Sequence, residues 1–305
     1  MIIGSIIIIN YNTAKITLQA LESIKINIQN IKNFEIILID NASNEVDYYE
    51  LKRGVENLNL DNIQLIKSKF NLGFGGGNML GVQYAIGEYY IFMNSDVLLK
   101  NNSPLEMIEF LKKNKNTSIV GCQAVTEKNE KFKAFDYELS LTNELFSNST
   151  LQFLNKKKYT SRMVSATEPL QVDSVVGSLF TCVANDFDLV GGFDTNIFLY
   201  YEEKDLAFRI KKYLKKNIFL LPLTQYIHLK GRSSGSSQKM KNELKISQFY
   251  AIQKNLGSLK YIIFYIISLA LFLIKSPFNK KNRAYLSLLL KGISTSQSIK
   301  HIQNK

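Results

Sequence analysis

Several stretches of the chain carry residues whose types and spacing could do chemistry together. Asn71-Leu-Gly-Phe-Gly-Gly-Gly-Asn78 reads as a glycine-rich loop opening a helix, where backbone N–H groups can approach an anion. Phe92-Met-Asn-Ser-Asp96 reads as an apolar strand ending in a carboxylate, suited to holding a divalent cation against a diphosphate. Glu202, Glu203 and Asp205 cluster at the start of a basic helix. The aromatic approach from Phe193 to Tyr201 could partly desolvate one of these acids and raise its basicity. His228, one of two histidines, ends a short strand and offers a metal or phosphate contact.

Each feature also has a plainer explanation. A glycine run is the default for a strained turn. Asp96 could cap a helix or close a turn, and acids at a helix start are favoured by the helix dipole alone. A histidine after a short strand is often structural, and the Gly/Ser loop Gly231–Ser237 with Lys230 and Arg232 could be solvated rather than closed over phosphates. The spacing of Gly73, Gly75, Gly76 and Gly77 fits neither G-x-G-x-x-G nor a lysine-bearing phosphate loop, which disfavours a dinucleotide oxidoreductase or a P-loop enzyme. The literal Asp-x-Asp at Asp186 and Asp188 falls in a short helical turn and reads as a decoy.

The elements that must position these residues alternate. Ile2–Ile9 is a β-branched run of the kind buried on both faces of a parallel sheet. A helix with Leu18, Leu21, Ile24 and Ile28 on one face follows. Next come strand Phe34–Ile39, a polar helix over about 44–57 and strand Ile63–Lys67. This β-α-β-α-β order predicts an open α/β sheet with right-handed crossovers, with ligands at the carboxyl ends of its strands. Asn10, Asp40, Asn71 and Asp96 fall at such ends. A helix over about 78–86, strand Tyr89–Asn94, a capping box at Ser103-Pro-Leu-Glu106 opening a helix to about Asn114, and strand Ile119–Val125 complete this half. Residues 126–170 lose the pattern and read as a variable excursion on which an acceptor surface could be built. Regularity returns at Val172–Val183 and in a basic helix Glu202–Lys216. Short strands Ile218–Leu221 and Gln225–Leu229 follow, then a helix from about Lys241 to Leu256.

The chain has 305 residues, 46% hydrophobic and 21% charged, enough for one large domain with an appendage. The net charge of +12 fits phosphorylated substrates or anionic lipid, and no nucleic-acid partner is expected. Cys122 and Cys182 lie in apolar runs without CxxC spacing, which favours buried reduced thiols and a cytoplasmic location. The apolar N-terminus lacks a basic n-region and reads as a first strand.

In order along the chain, Ile8-Ile-Asn-Tyr-Asn12, Leu38-Ile-Asp-Asn-Ala-Ser43, Asn71–Asn78, Asn94-Ser-Asp96, Gly191-Gly-Phe-Asp194, Phe198-Leu-Tyr-Tyr-Glu-Glu-Lys-Asp-Leu206 and His228 resemble the bacterial family 2 glycosyltransferases, especially the rhamnosyltransferase-like branch. The resemblance spans about residues 8–230. It implies a GT-A fold: a Rossmann-like, mostly parallel sheet flanked by helices, with a helical C-terminal appendage. It also implies inverting transfer from a dTDP- or UDP-sugar to a glycan or polyprenyl-linked acceptor in surface polysaccharide synthesis. Asn10, Asn12 and Asp40 would lie by the base and ribose, and Asn71, Gly73, Asn78 and Asn94 would shape the nucleotide pocket. Asn94-Ser-Asp96 replaces the family's Asp-x-Asp, leaving Asp96 and His228 for Mn²⁺ or Mg²⁺. The family's catalytic Asp corresponds to Glu203, with Glu202 and Asp205 as neighbouring candidates. The expected organisation is a catalytic domain over 1–240, with donor half 1–125 and acceptor half 126–240, followed by 241–305. A nucleotidyltransferase would want a basic glycine-rich loop at the first strand. A non-catalytic, degenerate scaffold of the same fold is the alternative that Asn94 and Glu203 favour.

Tyr261–Ile274, framed by Lys260 and Lys275, is shorter than the ~20 apolar residues that span a bilayer. It reads as an interfacial or re-entrant anchor, peripheral at the inner face of the membrane, or as a buried core helix.

Overall fold

A computed structural model describes residues 2–229 and 237–302, so Lys230 and Arg232 of the Gly/Ser loop lie outside the described residues. Strand β1 (Gly4–Asn10), helix α1 (Ala14–Asn27), β2 (Phe34–Asp40), α2 (Glu45–Asn57), β3 (Ile63–Lys67), α3 (Gly73–Val82), β4 (Tyr89–Asn94), β5 (Val97–Leu99), α4 (Ser103–Lys113) and β6 (Thr117–Val125) form the first half. The excursion then carries β7 (Phe135–Asp136), α5 (Leu141–Leu145) and α6 (Asn148–Leu154). It is followed by β8 (Leu170–Gln171), β9 (Ser174–Val175), β10 (Leu179–Val183), α7 (Ala184–Leu189), α8 (Glu202–Arg209) and β11 (Asn217–His228). Helices α9 (Gln238–Leu256), α10 (Ser258–Lys275), α11 (Lys280–Leu290) and α12 (Ile299–Ile302) close the described chain.

The main sheet has nine strands in the order β3-β2-β1-β4-β10-β6-β11-β5, with β8 beside β11. Neighbours β3, β2, β1 and β4 run parallel, as do β6 and β11, while β10 is antiparallel to both β4 and β6. The β1 run is buried on both faces as its β-branched composition predicts. Ile6 and Ile8 join a core with α1, α2 and α4, whereas Ile7 joins the opposite core with Phe92, Phe180, Phe187 and Leu206. A third cluster, built on Ile246, Phe249, Phe264 and Leu289, takes in Leu139, Tyr201 and Phe208 from the chain before the C-terminal helices.

Several expectations are corrected. The glycine stretch is no loop: Gly73 opens α3, and Gly75, Gly76 and Gly77 lie inside it, buried. Gly73 has φ +75°, and a Cβ there would overlap the Phe198 carbonyl oxygen, so the residue serves a close backbone crossing. Ser103 does not form a capping box. It already lies inside α4, behind Asn102, and the Glu106 carboxylate accepts from Thr224 Oγ1 instead. The two short strands after residue 217 are one strand, interrupted by a register shift between Leu221 and Gln225 where Pro222 cannot donate to the ladder. The basic helix stops at Arg209 and continues as a π-helical turn, Ile210–Leu214. The apolar C-terminal run extends to an 18-residue helix with only Phe264 and Ser268 buried, so it is not a core helix.

Candidate active site

A cavity of about 770 Å³ opens at the carboxyl ends of the parallel strands. Its walls come from β1 (Ile9, with Tyr11 and Thr13 beyond it), the start of α3, the end of β4, and the β9–β10 turn. The Phe198–Lys204 segment, His228, and parts of α9 and α12 close it. A volume of this order suits a nucleotide-sized ligand.

The β5–β11 pairing sets His228 opposite Val97, and Leu229 N donates to the Asp96 backbone carbonyl at 2.9 Å. This brings the side chains together, with His228 Nε2 3.3 Å from Asp96 Oδ1. Asp96 is buried, whereas His228 reaches the cavity wall beside Asn94 and Ser95. One carboxylate oxygen behind the cavity wall and one imidazole nitrogen on it face each other, a donor pair that fits a divalent cation taking its other ligands from a diphosphate and water. Among the described residues, no group of three or more His, Cys, Asp and Glu is gathered as an all-protein cage.

The same cavity is lined by Glu202 and Glu203, on the first turn of α8. Glu202 is buried, and its Oε1 has no hydrogen-bond partner among the described residues. Burial, and next the charge of Glu203, push the Glu202 carboxyl well above the ordinary range. Burial also raises Glu203; backbone hydrogen bonding and the cations Lys133 and Lys204 oppose that rise, while Asp136 adds to it. The carboxylate of Glu203 rests where a side chain at Gly177 would stand: a Cβ at 177 would overlap it. Burial works against ionisation of Asp136, yet Lys133, Lys204 and Arg162 outweigh it and hold that carboxyl below its usual range.

Asp205 takes a different position. It is fully buried away from the cavity wall, accepting from Arg209 Nε at 2.9 Å, Lys254 Nζ at 3.0 Å and Asn255 Nδ2 at 2.8 Å. That network engages both of its carboxylate oxygens, so this candidate for the base stands apart from the cavity that Glu202 and Glu203 line.

Asn71, Gly73 and Asn94, named from the sequence as shaping the nucleotide pocket, line the cavity. Asn71 Oδ1 accepts from Gly73 N at 2.9 Å and Asn41 Nδ2 at 3.1 Å, which fixes the entry to α3. Asn10 and Asp40 stand behind the wall. Both are fully buried, and Asn10 Nδ2 donates to Asp40 Oδ1 at 3.0 Å and to Asp47 Oδ2 at 2.8 Å. They brace the β1 and β2 ends, while Tyr11, Thr13 and Asn41, not singled out from sequence, form the surface. Asn12, with φ +54°, accepts from Asn44 off the cavity, and Asn78 donates to the Phe74 carbonyl inside α3. The Asp186-x-Asp188 decoy is engaged elsewhere, with Lys216 at 2.6 Å and Tyr90 at 3.2 Å. Sequence reasoning also passed over Lys133, Asp136 and Gly177. Lys133 and Asp136 lie in the patternless excursion, and Gly177 stands in the regular stretch after it with no motif around it.

The family model described as glycosyl transferase family 2 matches residues 5–184. The rhamnosyltransferase WbbL of Escherichia coli K12 is 27% identical over 147 residues, 45% of this chain and 54% of WbbL. An uncharacterized glycosyltransferase of Rickettsia conorii is 28% identical over 214 residues, 70% of this chain and 32% of that protein. The chain thus spans about half of WbbL and about a third of the Rickettsia protein. Among solved structures, GalNAc-T7 with UDP, GalNAc and Mn²⁺ superposes with a TM-score of 0.62 at 14% identity, over 97% of this chain and 57% of that one. The mannosyltransferase PcManGT of Pyrobaculum calidifontis, with GDP-Man and Mn²⁺, superposes at 0.58 and 14% identity, over 99% and 87%. At such identity these likenesses speak for the fold. The curled, mostly parallel sheet flanked by helices is the GT-A fold, and the chain belongs to glycosyl transferase family 2.

Proposed function

We propose that the protein is an inverting glycosyltransferase that moves a sugar from a nucleotide diphosphate, dTDP or UDP, to a glycan or polyprenyl-linked acceptor of a bacterial surface polysaccharide. The observation that carries this reading is one cavity lined both by His228, which faces Asp96, and by Glu203. Asn71, Gly73 and Asn41 would receive the nucleotide. Asp96 and His228 would hold Mn²⁺ or Mg²⁺, which when bound neutralises charge on the departing diphosphate. Glu203, raised by burial, accepts the proton of the acceptor hydroxyl at its carboxylate oxygen as the hydroxyl oxygen attacks the anomeric carbon and the bond to the diphosphate on the opposite face breaks. A single displacement of this kind inverts configuration. The chain's likeness to WbbL favours a deoxyhexose such as rhamnose as the transferred sugar.

A panel of UDP-, dTDP- and GDP-sugars with Mn²⁺, read by calorimetry and by slow hydrolysis, tests the reading. One sugar nucleotide should bind and turn over, and Asp96→Ala should abolish both. Silence across the panel leaves the degenerate scaffold as the better description.

We further propose that α10 lies on an anionic bilayer surface, cytoplasmic and peripheral. Its inner side, Tyr261, Phe264, Tyr265 and Phe272, packs in the third core cluster, while Ile262, Ile266, Ile267 and Ile274 are exposed. The 21 residues Ser258–Phe278 are long and apolar enough to cross a membrane, but one side is held by neighbouring helices, which suits a helix lying in the interface. Exposed Lys260, Lys275, Lys280 and Arg283 sit at its ends and just beyond, matching anionic headgroups. The chain should float with phosphatidylglycerol vesicles, and Ile266→Asp with Ile274→Asp should release it. Retention of the double variant counts against α10 as the contact.

A further inference from the structure

We propose that Glu144, outside the cavity wall, is a positioning residue for Glu202 and Glu203, acting through Tyr201 and Lys204. The inference rests on the transfer reading above.

Tyr200 and Tyr201 both occupy the left-handed region, with φ of +71° and +74°. Side chains rarely adopt this conformation, and it persists only where surrounding contacts over-determine it. Tyr201 is also the residue from which α8 departs, and its carbonyl accepts from Asp205 N at 2.9 Å. Its backbone angles therefore set the direction in which Glu202 and Glu203 leave the chain.

The contacts that hold it converge on one carboxylate. The Tyr201 hydroxyl donates to Glu144 Oε2, Lys204 Nζ donates to Oε1 at 2.8 Å, and Gln248 Nε2 donates to Oε2 at 2.7 Å. The Glu144 side chain is 3% exposed, so these bonds are shielded from water. They join α5 in the excursion, the start of α8, and α9. Lys204 lines the cavity and opposes the rise that burial imposes on Glu203, and Glu144 keeps that ammonium in the wall. Nothing in the excursion's sequence pattern marked Glu144, yet it touches residues on both sides of the two cavity acids.

Tyr201→Phe keeps the ring in the core and removes one hydrogen bond; Glu144→Gln keeps the shape and removes the charge. Both are assayed as full chains, with Mn²⁺ and the sugar nucleotide the wild type turns over fastest. We expect kcat to fall about 10- to 100-fold, the scale on which slight misplacement acts. KM for the donor should hold, because Asn71, Asp96 and His228 are untouched, and the double variant should be no slower than the worse single one. Unchanged kcat in both variants, or losses that multiply in the double variant, would overturn the tether. A wild-type chain that turns over no sugar nucleotide sinks the transfer reading instead. In that case crystal structures of the same variants decide: residue 201 leaving the left-handed region supports the tether, and unchanged φ at 201 refutes it.

Discussion

Within one turn of α8 stand three carboxylates with opposite fates. Glu202 and Glu203 face the cavity, and burial raises both. Asp205, two residues on, is more deeply enclosed than Glu203, yet Arg209, Lys254 and Asn255 surround its oxygens. Burial alone does not decide what a carboxylate can do. What separates the two sites is whether the protein answers the buried charge with donors or leaves it facing a space where substrate can enter. An acid prepared for proton transfer is under-supplied with partners; one that holds a fold together is fully supplied.

Substitution at Glu203 gives the largest expected effect. Glu203→Gln should lower kcat about 10²- to 10⁴-fold, the range for losing a general base, with donor affinity by calorimetry preserved. Similar turnover would move the base elsewhere and dissolve the contrast. Asp205→Asn should act on stability. Stripping a buried partner from Arg209 and Lys254 costs about 3–5 kcal/mol, visible as a lower urea midpoint. Activity per folded molecule should stay near that of the wild type.

Glu202→Gln sharpens the comparison in the other direction. Because the folded state raises this carboxyl, the native protein binds more protons than the unfolded chain above the ordinary Glu range, so stability is lost as pH rises through the folded value. The Gln variant escapes that loss. It should match the wild type in mild acid and exceed it by about 1 kcal/mol near neutral pH, read from denaturation at two pH values. Equal stability at both would mean that Glu202 finds a partner in solution.

The smallest effect concerns the pH profile. Turnover should fall on the acid side at a pH above the ordinary Glu value, because Glu203 must be ionised and burial raises it. Lys133 opposes that rise from a half-exposed position. Lys133→Ala should therefore move the acid limb to higher pH, by less than about one unit, as befits a solvent-screened pair. A shift to lower pH would contradict the assigned sign.

Most of the first half was legible because strands buried on both faces leave unbroken β-branched runs such as Ile6–Ile9, and because turn residues punctuate them. The cavity's motif residues were legible in outline, but their depth was not. Asn10 and Asp40 look like ligand contacts in sequence but lie buried behind the cavity wall, since only three-dimensional register reveals which side of a strand end meets the cavity. The glycine run misled for a related reason. A glycine that lets a helix start close against Phe198, as Gly73 does, reads the same as one that cradles a phosphate. Glu144 and Gly177 act through residues far along the chain, and no local period records such a pairing.

The two cysteines have a practical consequence. Cys122 and Cys182 are the only thiols in the chain, both lie in the sheet interior, and burial pushes both well above the ordinary thiol range. A maleimide should find almost no thiolate to attack in the folded protein. The native chain is therefore a silent background for fluorescent labelling. A single cysteine introduced at Ile266 would carry the dye alone, and its emission colour would report the polarity against which α10 rests.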